Sequence, residues 1–212
     1  MAKKSYVLLG ISGVLLVLFL WEMAAVFGGA TWVGLLDTSV IASVRGGMDP
    51  LKTSILKLLT HLGSTKLILV MTLLVVGGLF YRRRFLLGAW FGGSMVIGGV
   101  LLKALKEIIH RPRPPAYEWL IEASGYSYPS GHSLGSALFY GLIGLLFVVM
   151  GSQKIWLKVL VGLLCLLFIL LMMYARVYLG VHFPTDVLGG FLLGGFLCFL
   201  SLGLYGLFFK TS

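Results

Sequence analysis

Long apolar runs, broken by a few short polar stretches, set the first limit on what this chain can fold into. They extend from Val7 to about Phe27, from Phe85 to about Ile109, from His132 to Met150, from Trp156 to Arg176 and from Pro184 to Phe209, with a shorter run from Lys66 to Tyr81. About 20 apolar residues in a helix cross the hydrocarbon core of a bilayer. In lipid the backbone must satisfy its own N–H and C=O groups, which a helix does within one segment. Run 66–81 is short and is expected to borrow residues from its flanks. The fold class that follows is all-α: an integral membrane bundle of six transmembrane helices forming one domain over residues 1–212. The composition agrees, with 59% hydrophobic and only 11% charged residues, where soluble domains carry about 25% charged. The 29 glycines would weaken a soluble bundle but let membrane helices approach closely.

Lys3 and Lys4 before an apolar run mimic a signal peptide, but the run is long enough to span and is expected to be a retained helix. Glu22, near its far end, reads as an interfacial or paired carboxylate. Residues 28–65 are mixed in character. Within them Asp49-Pro50 looks like an N-cap followed by proline at the first helical position. Leu51, Ile55, Leu58, Leu59 and Leu62 then share one helical face, which Gly63 ends. This helix is too short to span, so it is expected to lie in the interface between the first two spans, or over the bundle. There it would shape a lipid entrance or serve as a structural cover. His61 reads as a solvated or capping residue. Cys165 and Cys198 lie in apolar runs and read as packing residues. No soluble domain, low-complexity stretch or internal repeat is visible.

The net charge of +10 is scattered over separate loops, which argues against nucleic-acid binding. Six spans place both termini on one side, together with the 82–84 turn and the 151–158 loop. That side holds Lys3, Lys4, Arg82, Arg83, Arg84, Lys154, Lys158 and Lys210 and no acidic residue. The other side holds the remaining basic residues and all seven acids. Lys103, Lys106, Arg111, Arg113 and Arg176 lie in polar breaks where chemistry can require them. Without them only Arg45, Lys52, Lys57 and Lys66 remain on that side. The positive-inside rule counts most in short loops such as Arg82–Arg84. The termini are therefore expected in the cytoplasm and the polar breaks outside.

Three such breaks fall on one face. Lys106, Arg111 and Arg113 stand beside Pro112 and Pro114, which stop the helix. Their cations suit phosphate oxygens. Pro129-Ser130-Gly131-His132 opens the next apolar run, and a helix N-terminus is a ready anion site. Arg176 precedes His182 and Asp186, which are four residues apart. A carboxylate at that spacing can hold one imidazole nitrogen and leave the other free to attack. Each break alone admits a plainer reading: a juxtamembrane basic cluster, a capped turn, or a capping aspartate beside an interfacial histidine. Together they point to phosphoryl transfer through a histidine without a metal, since no Cys or carboxylate cluster offers a ligand set.

These residues resemble the type 2 phosphatidic acid phosphatase superfamily of membrane lipid phosphatases. The family's first motif, Lys, six residues, Arg-Pro, is matched by Lys106 and Arg113-Pro114. The second, Pro-Ser-Gly-His, is residues 129–132. The third, Ser-Arg, five residues, His, three residues, Asp, is matched by Arg176, His182 and Asp186, with Ala175 in place of the serine. The resemblance implies His182 as the nucleophile of a phosphohistidine, Asp186 as its orienting acid and His132 as the general acid and then base. It implies Lys106, Arg113, Ser130, Gly131 and Arg176 as the phosphate-binding set, with no metal and no cofactor. Ala175 removes one possible hydroxyl donor. Arg111, outside the strict motif, reads as a head-group contact or as plain surface charge. His110, Tyr126 and Tyr128 flank the site without a role.

The implied substrate is an anionic phospholipid, foremost phosphatidylglycerol phosphate, with undecaprenyl pyrophosphate, a polyprenyl phosphate, as the rival. Either would arrive from the lipid bilayer, and no obligatory protein partner is apparent. A transporter would carry charges near the membrane midplane in paired repeats, and neither is seen. Vanadate-dependent haloperoxidases share similar motifs but are soluble. A non-catalytic lipid-binding protein would not need the whole His–His–Asp set.

Overall fold

The structure, a computed structural model, describes residues 2–150 and 154–209. Lys210 and the loop residues 151–153 lie outside the described residues. Regular structure among the described residues is wholly helical: α1 (Ala2–Phe27), α2 (Thr31–Arg45), α3 (Pro50–Thr60), α4 (Thr65–Tyr81), α5 (Phe85–Ile109), α6 (Gly131–Met150), α7 (Ile155–Tyr178) and α8 (Pro184–Phe208). Single 3-10 turns stand at His61–Gly63 and Ala116–Glu118. Five helices are long and apolar enough to cross a membrane. A sixth span arises if α3, the first 3-10 turn and α4 count as one element, bent by 46°. The short run 66–81 thus does draw on its N-terminal flank.

The apolar runs of the sequence become α1 and α4 to α8, while the mixed region holds two short helices rather than one. In Thr31–Arg45 Val33, Leu36, Val40 and Val44 recur at helical spacing, a signal for α2 that reading residues 28–65 as one mixed region passes over. In α3 Asp49 accepts a hydrogen bond from the Lys52 amide at 2.7 Å, as its place before Pro50 predicts. Its leucine stripe faces outward, with Leu51 and Leu58 exposed, while Leu56 and Thr60 turn inward. Leu56 packs with Ala175, Tyr178 and Leu179 of the α7 end. An outward apolar face is costly in water but suits hydrocarbon.

Helix α8 is the axis of the bundle and packs on α1, α6, α7, α5 and α2. Its contact with α6 depends on Gly190 and Gly194. A Cβ at Gly194 would lie 2.7 Å from the Leu134 oxygen and 2.8 Å from the Ala137 Cβ. Bare backbone at these positions brings the N-terminal ends of α6 and α8 together, and the Ser130 amide bonds the Asp186 carbonyl at 2.9 Å.

The chain between α5 and α6 lies across this end of the bundle. His110 closes α5 in the left-handed conformation (φ 50°), two residues before the helix-stopping Pro112–Pro114 run. Arg45 then clamps Glu118 at 2.7 Å, the Leu120 amide bonds the Leu179 carbonyl at 3.0 Å, and the Ser127 amide bonds the Arg111 carbonyl at 2.8 Å. All three polar breaks therefore meet at one end of the bundle.

Candidate active site

His182 lies in the short α7–α8 connection, one residue before the N-cap of α8, and is buried. Pro184 at the first position of α8 fixes the chain direction there, so Asp186 falls in the first turn and faces back toward the histidine. The His182 Nδ1 is 3.3 Å from Asp186 Oδ2, and its Nε2 is 3.1 Å from an Arg113 guanidinium nitrogen. With a carboxylate on one nitrogen and an N–H donor on the other, the neutral ring holds its proton on Nδ1 and its lone pair on Nε2. Burial pushes the His182 imidazole down to about 4, against the upward pull of Asp186. The ring is therefore neutral near pH 7.

Asp186 has no exposed surface and is held on every side. Its Oδ2 also accepts from the Phe183 amide at 2.8 Å and from the Ser127 hydroxyl, and its Oδ1 accepts from Arg111 at 2.7 Å. The second Arg111 nitrogen reaches Asp37 of α2 at 2.6 Å. Asp37 in turn accepts from the Thr185 amide at 2.9 Å, and the Thr185 hydroxyl accepts from Arg111 at 2.7 Å. One arginine thus bridges two buried carboxylates, and each charge finds its opposite. This corrects the reading of Arg111 as a head-group contact or surface charge: it points into the bundle. Lys103, also set among the possible chemical cations, is exposed on the outer side of α5.

The remaining expected residues stand around the free side of His182. Arg113 is fixed by the carbonyls of Gly125, Ser124 and Val181 at 3.0, 2.9 and 2.7 Å. Arg176, at the buried end of α7, bonds Thr60 at 3.2 Å, and its Nε is buried without a protein partner. His132 stands in the first turn of α6, with the cations Arg176 and Arg113 and the His182 ring as neighbours. Lys106, in the last turn of α5, donates to the carbonyls of Tyr126 and Ser127, and has Arg113, Asp186 and Arg176 as charged neighbours. Gly131 opens α6. Ser130 is fully buried, and its hydroxyl oxygen accepts from the Ser133 amide at 3.4 Å. Ala175 is fully buried in the cluster with Leu56, Tyr178 and Leu179.

Glu22 is buried against Tyr128, whose hydroxyl donates to it at 2.6 Å, so it is a paired carboxylate, as expected. Gly189 makes room for the Tyr128 ring, since a Cβ there would lie 2.6 Å from it. Below Gly131 an apolar cleft of about 410 Å³ opens between α4, α5 and α6, lined by Ile68, Leu73, Val96, Leu102 and Leu134 among others. Among the described residues no group of three or more His, Cys, Asp or Glu is placed to hold a metal ion.

The sequence did not point to Asp37, Thr185 or Ser127. A single aspartate in a helix whose other charge, Arg45, stands at its far end was a usable signal for Asp37, because such a charge must find a cation when buried. Nothing local marks Ser127 or Thr185.

An all-helical membrane bundle that gathers two histidines, a buried carboxylate and several cations at one end of its helices has the layout of a membrane phosphatase. Residues 87–209 match the PAP2 superfamily, and the chain belongs to that family; it is a phosphoric monoester hydrolase of the membrane. Phosphatidylglycerophosphatase B of Bacillus subtilis strain 168 is 37% identical over 153 residues, 68% of this chain and 71% of that protein. An undecaprenyl-diphosphatase of Sulfolobus acidocaldarius is 36% identical over 129 residues, 58% of each chain. The crystal structure of a transmembrane PAP2-type phosphatidylglycerolphosphate phosphatase from Bacillus subtilis superposes with a TM-score of 0.85 at 31% identity, covering 95% of this chain and 98% of that one.

Proposed function

We propose that this single membrane domain dephosphorylates phosphatidylglycerol phosphate to phosphatidylglycerol through a phosphohistidine on His182, without a metal. The observation that carries the proposal is the His182 ring, with Nδ1 on Asp186 and Nε2 turned toward Arg113 and the α6 end. In the first step the Nε2 lone pair attacks phosphorus and the ester P–O bond breaks. His132 gives its proton to the departing lipid oxygen. In the second step His132 takes a proton from water, the water oxygen attacks phosphorus, the P–N bond breaks and inorganic phosphate leaves. Asp186 stabilises the ring as it gains charge. Arg113, Arg176, Lys106 and the backbone amide of Gly131 at the start of α6, beside Ser130, hold the phosphoryl oxygens. The apolar cleft ending at Gly131 suits a lipid whose chains stay in the bilayer while its head enters sideways.

The same cleft would take a polyprenyl chain, and one relative is an undecaprenyl-diphosphatase. Undecaprenyl pyrophosphate is therefore the second reading. The termini are placed in the cytoplasm and the site on the extracytoplasmic face, on the charge pattern of the short loops.

Phosphate release from both lipids in detergent, with chelator present, separates these readings. Phosphatidylglycerol phosphate is expected to turn over faster, and His182→Ala to abolish both activities. Activity retained in that variant would remove His182 as nucleophile. Wild-type activity lost in chelator would contradict the metal-free chemistry.

A further inference from the structure

A second cleft lies at the other end of the bundle, between α5 and α8. It has a volume of about 490 Å³ and is walled by Trp90, Ile97, Leu197, Leu200, Leu204 and Phe208. Two of the side-chain hydroxyls on its wall, Ser94 and Ser201, bond each other at 2.5 Å, and the Trp90 indole N–H is taken by the Ser201 carbonyl; apart from the Tyr205 hydroxyl the wall is apolar. At its mouth a second hollow of about 500 Å³ is lined by Arg83 and Arg84 and shares Leu86 and Tyr205 with the groove. Arg83 and Arg84 are exposed, and among the described residues no carboxylate pairs with either. All seven acidic residues of the chain lie in other segments.

We propose that this groove and the Arg83–Arg84 turn form a binding site for one anionic glycerophospholipid, separate from the catalytic cleft. An acyl chain fills the α5–α8 groove, and the phosphate of the same lipid sits on the two guanidinium groups. The charge complement selects the head group. A zwitterionic lipid brings a cation next to its phosphate, which two arginines disfavour, whereas a glycerol head group leaves the phosphate uncompensated. Basic pockets between membrane helices favour anionic heads for this reason. The groove runs along α5 and α8, two helices long and apolar enough to cross a membrane, which suits a lipid chain rather than a soluble partner.

Trp90 on the groove wall reports the occupant. A chain retaining only this tryptophan (Trp21, Trp32, Trp119 and Trp156 each replaced by Phe) is reconstituted in phosphatidylcholine vesicles. Either dibrominated phosphatidylglycerol or dibrominated phosphatidylcholine is then added. Half-quenching of Trp90 is expected at a mole fraction roughly tenfold lower for the anionic lipid. In Arg83→Gln/Arg84→Gln the two lipids should quench alike. Equal quenching in the parent chain, which needs no arginine variant, would overturn the proposal. So would an anionic preference that survives the double substitution, or quenching by neither lipid, which would leave the groove to a second copy of the chain. If the single-tryptophan chain does not fold, the difference in quenching between the native chain and Trp90→Phe gives the same reading.

Discussion

Asp186 takes hydrogen bonds from His182, Phe183, Ser127 and Arg111, and only the first is expected from spacing along the chain. Arg111 is the one of these that reaches a second carboxylate, Asp37. Removing the Asp37 charge leaves a buried guanidinium half paired and loosens Arg111, one of the four donors that hold Asp186. Asp37→Asn is therefore expected to lower kcat on the order of tenfold to a hundredfold, with KM little changed, as misplacement of a catalytic group does. Steady-state assays on the lipid substrate measure this; a fall in kcat/KM carried by KM alone would place Asp37 in substrate binding. Arg111→Gln breaks both buried pairs and is expected to lower stability by about 3 kcal/mol, seen as a lower Tm in detergent. The pH profile belongs to His182. In the proposed mechanism the ring must be neutral to attack, and burial holds its folded value at about 4, below the ordinary histidine range. Protonation therefore sets in only as pH falls through about 4, so the acid limb of kcat/KM is expected near there. An acid limb near 6.5 would mean that the ring titrates as if solvated.

At the scale of elements, the α6–α8 contact decides whether the site exists. A Cβ at Gly190 would come 3.0 Å from the Ser133 Cβ and 3.1 Å from the Leu134 amide nitrogen, both next to the α6 N-terminus. Gly190→Ala is expected to force the two helix starts apart, costing about 1–3 kcal/mol and lowering activity more than a similar loss of stability elsewhere would. Thermal unfolding and turnover on the same preparation test this. Helix boundaries were mostly legible because each span is a run bounded by proline, glycine or charge. The α5 limits, Phe85–Ile109, are those expected from the Arg82–Arg84 turn and the Pro112–Pro114 stop. The α2 helix was missed although Val33, Leu36, Val40 and Val44 follow helical spacing, because its 15 residues are too few and too polar to stand out as a span.

For the whole molecule the open quantity is orientation. Tyr117 in the α5–α6 connection and Tyr81 at the end of α4 are both highly exposed and lie at opposite ends of the bundle. In a chain lacking Cys165 and Cys198, Tyr117→Cys is expected to react with an impermeant maleimide on intact cells, and Tyr81→Cys only after permeabilisation. The reverse pattern would put the site in the cytoplasm.

By itself the sequence determined the number of membrane runs, the three polar breaks and the residue types proposed for the phosphate chemistry. Those features are local: a run length, a proline stop, a histidine four residues before an aspartate. Tertiary structure alone decided which cations do which work. Arg111 and Arg113 are two residues apart, yet one turns inward to Asp186 and Asp37 and the other toward His182. That choice rests on partners more than 60 residues away, which helix packing supplies and no local pattern encodes.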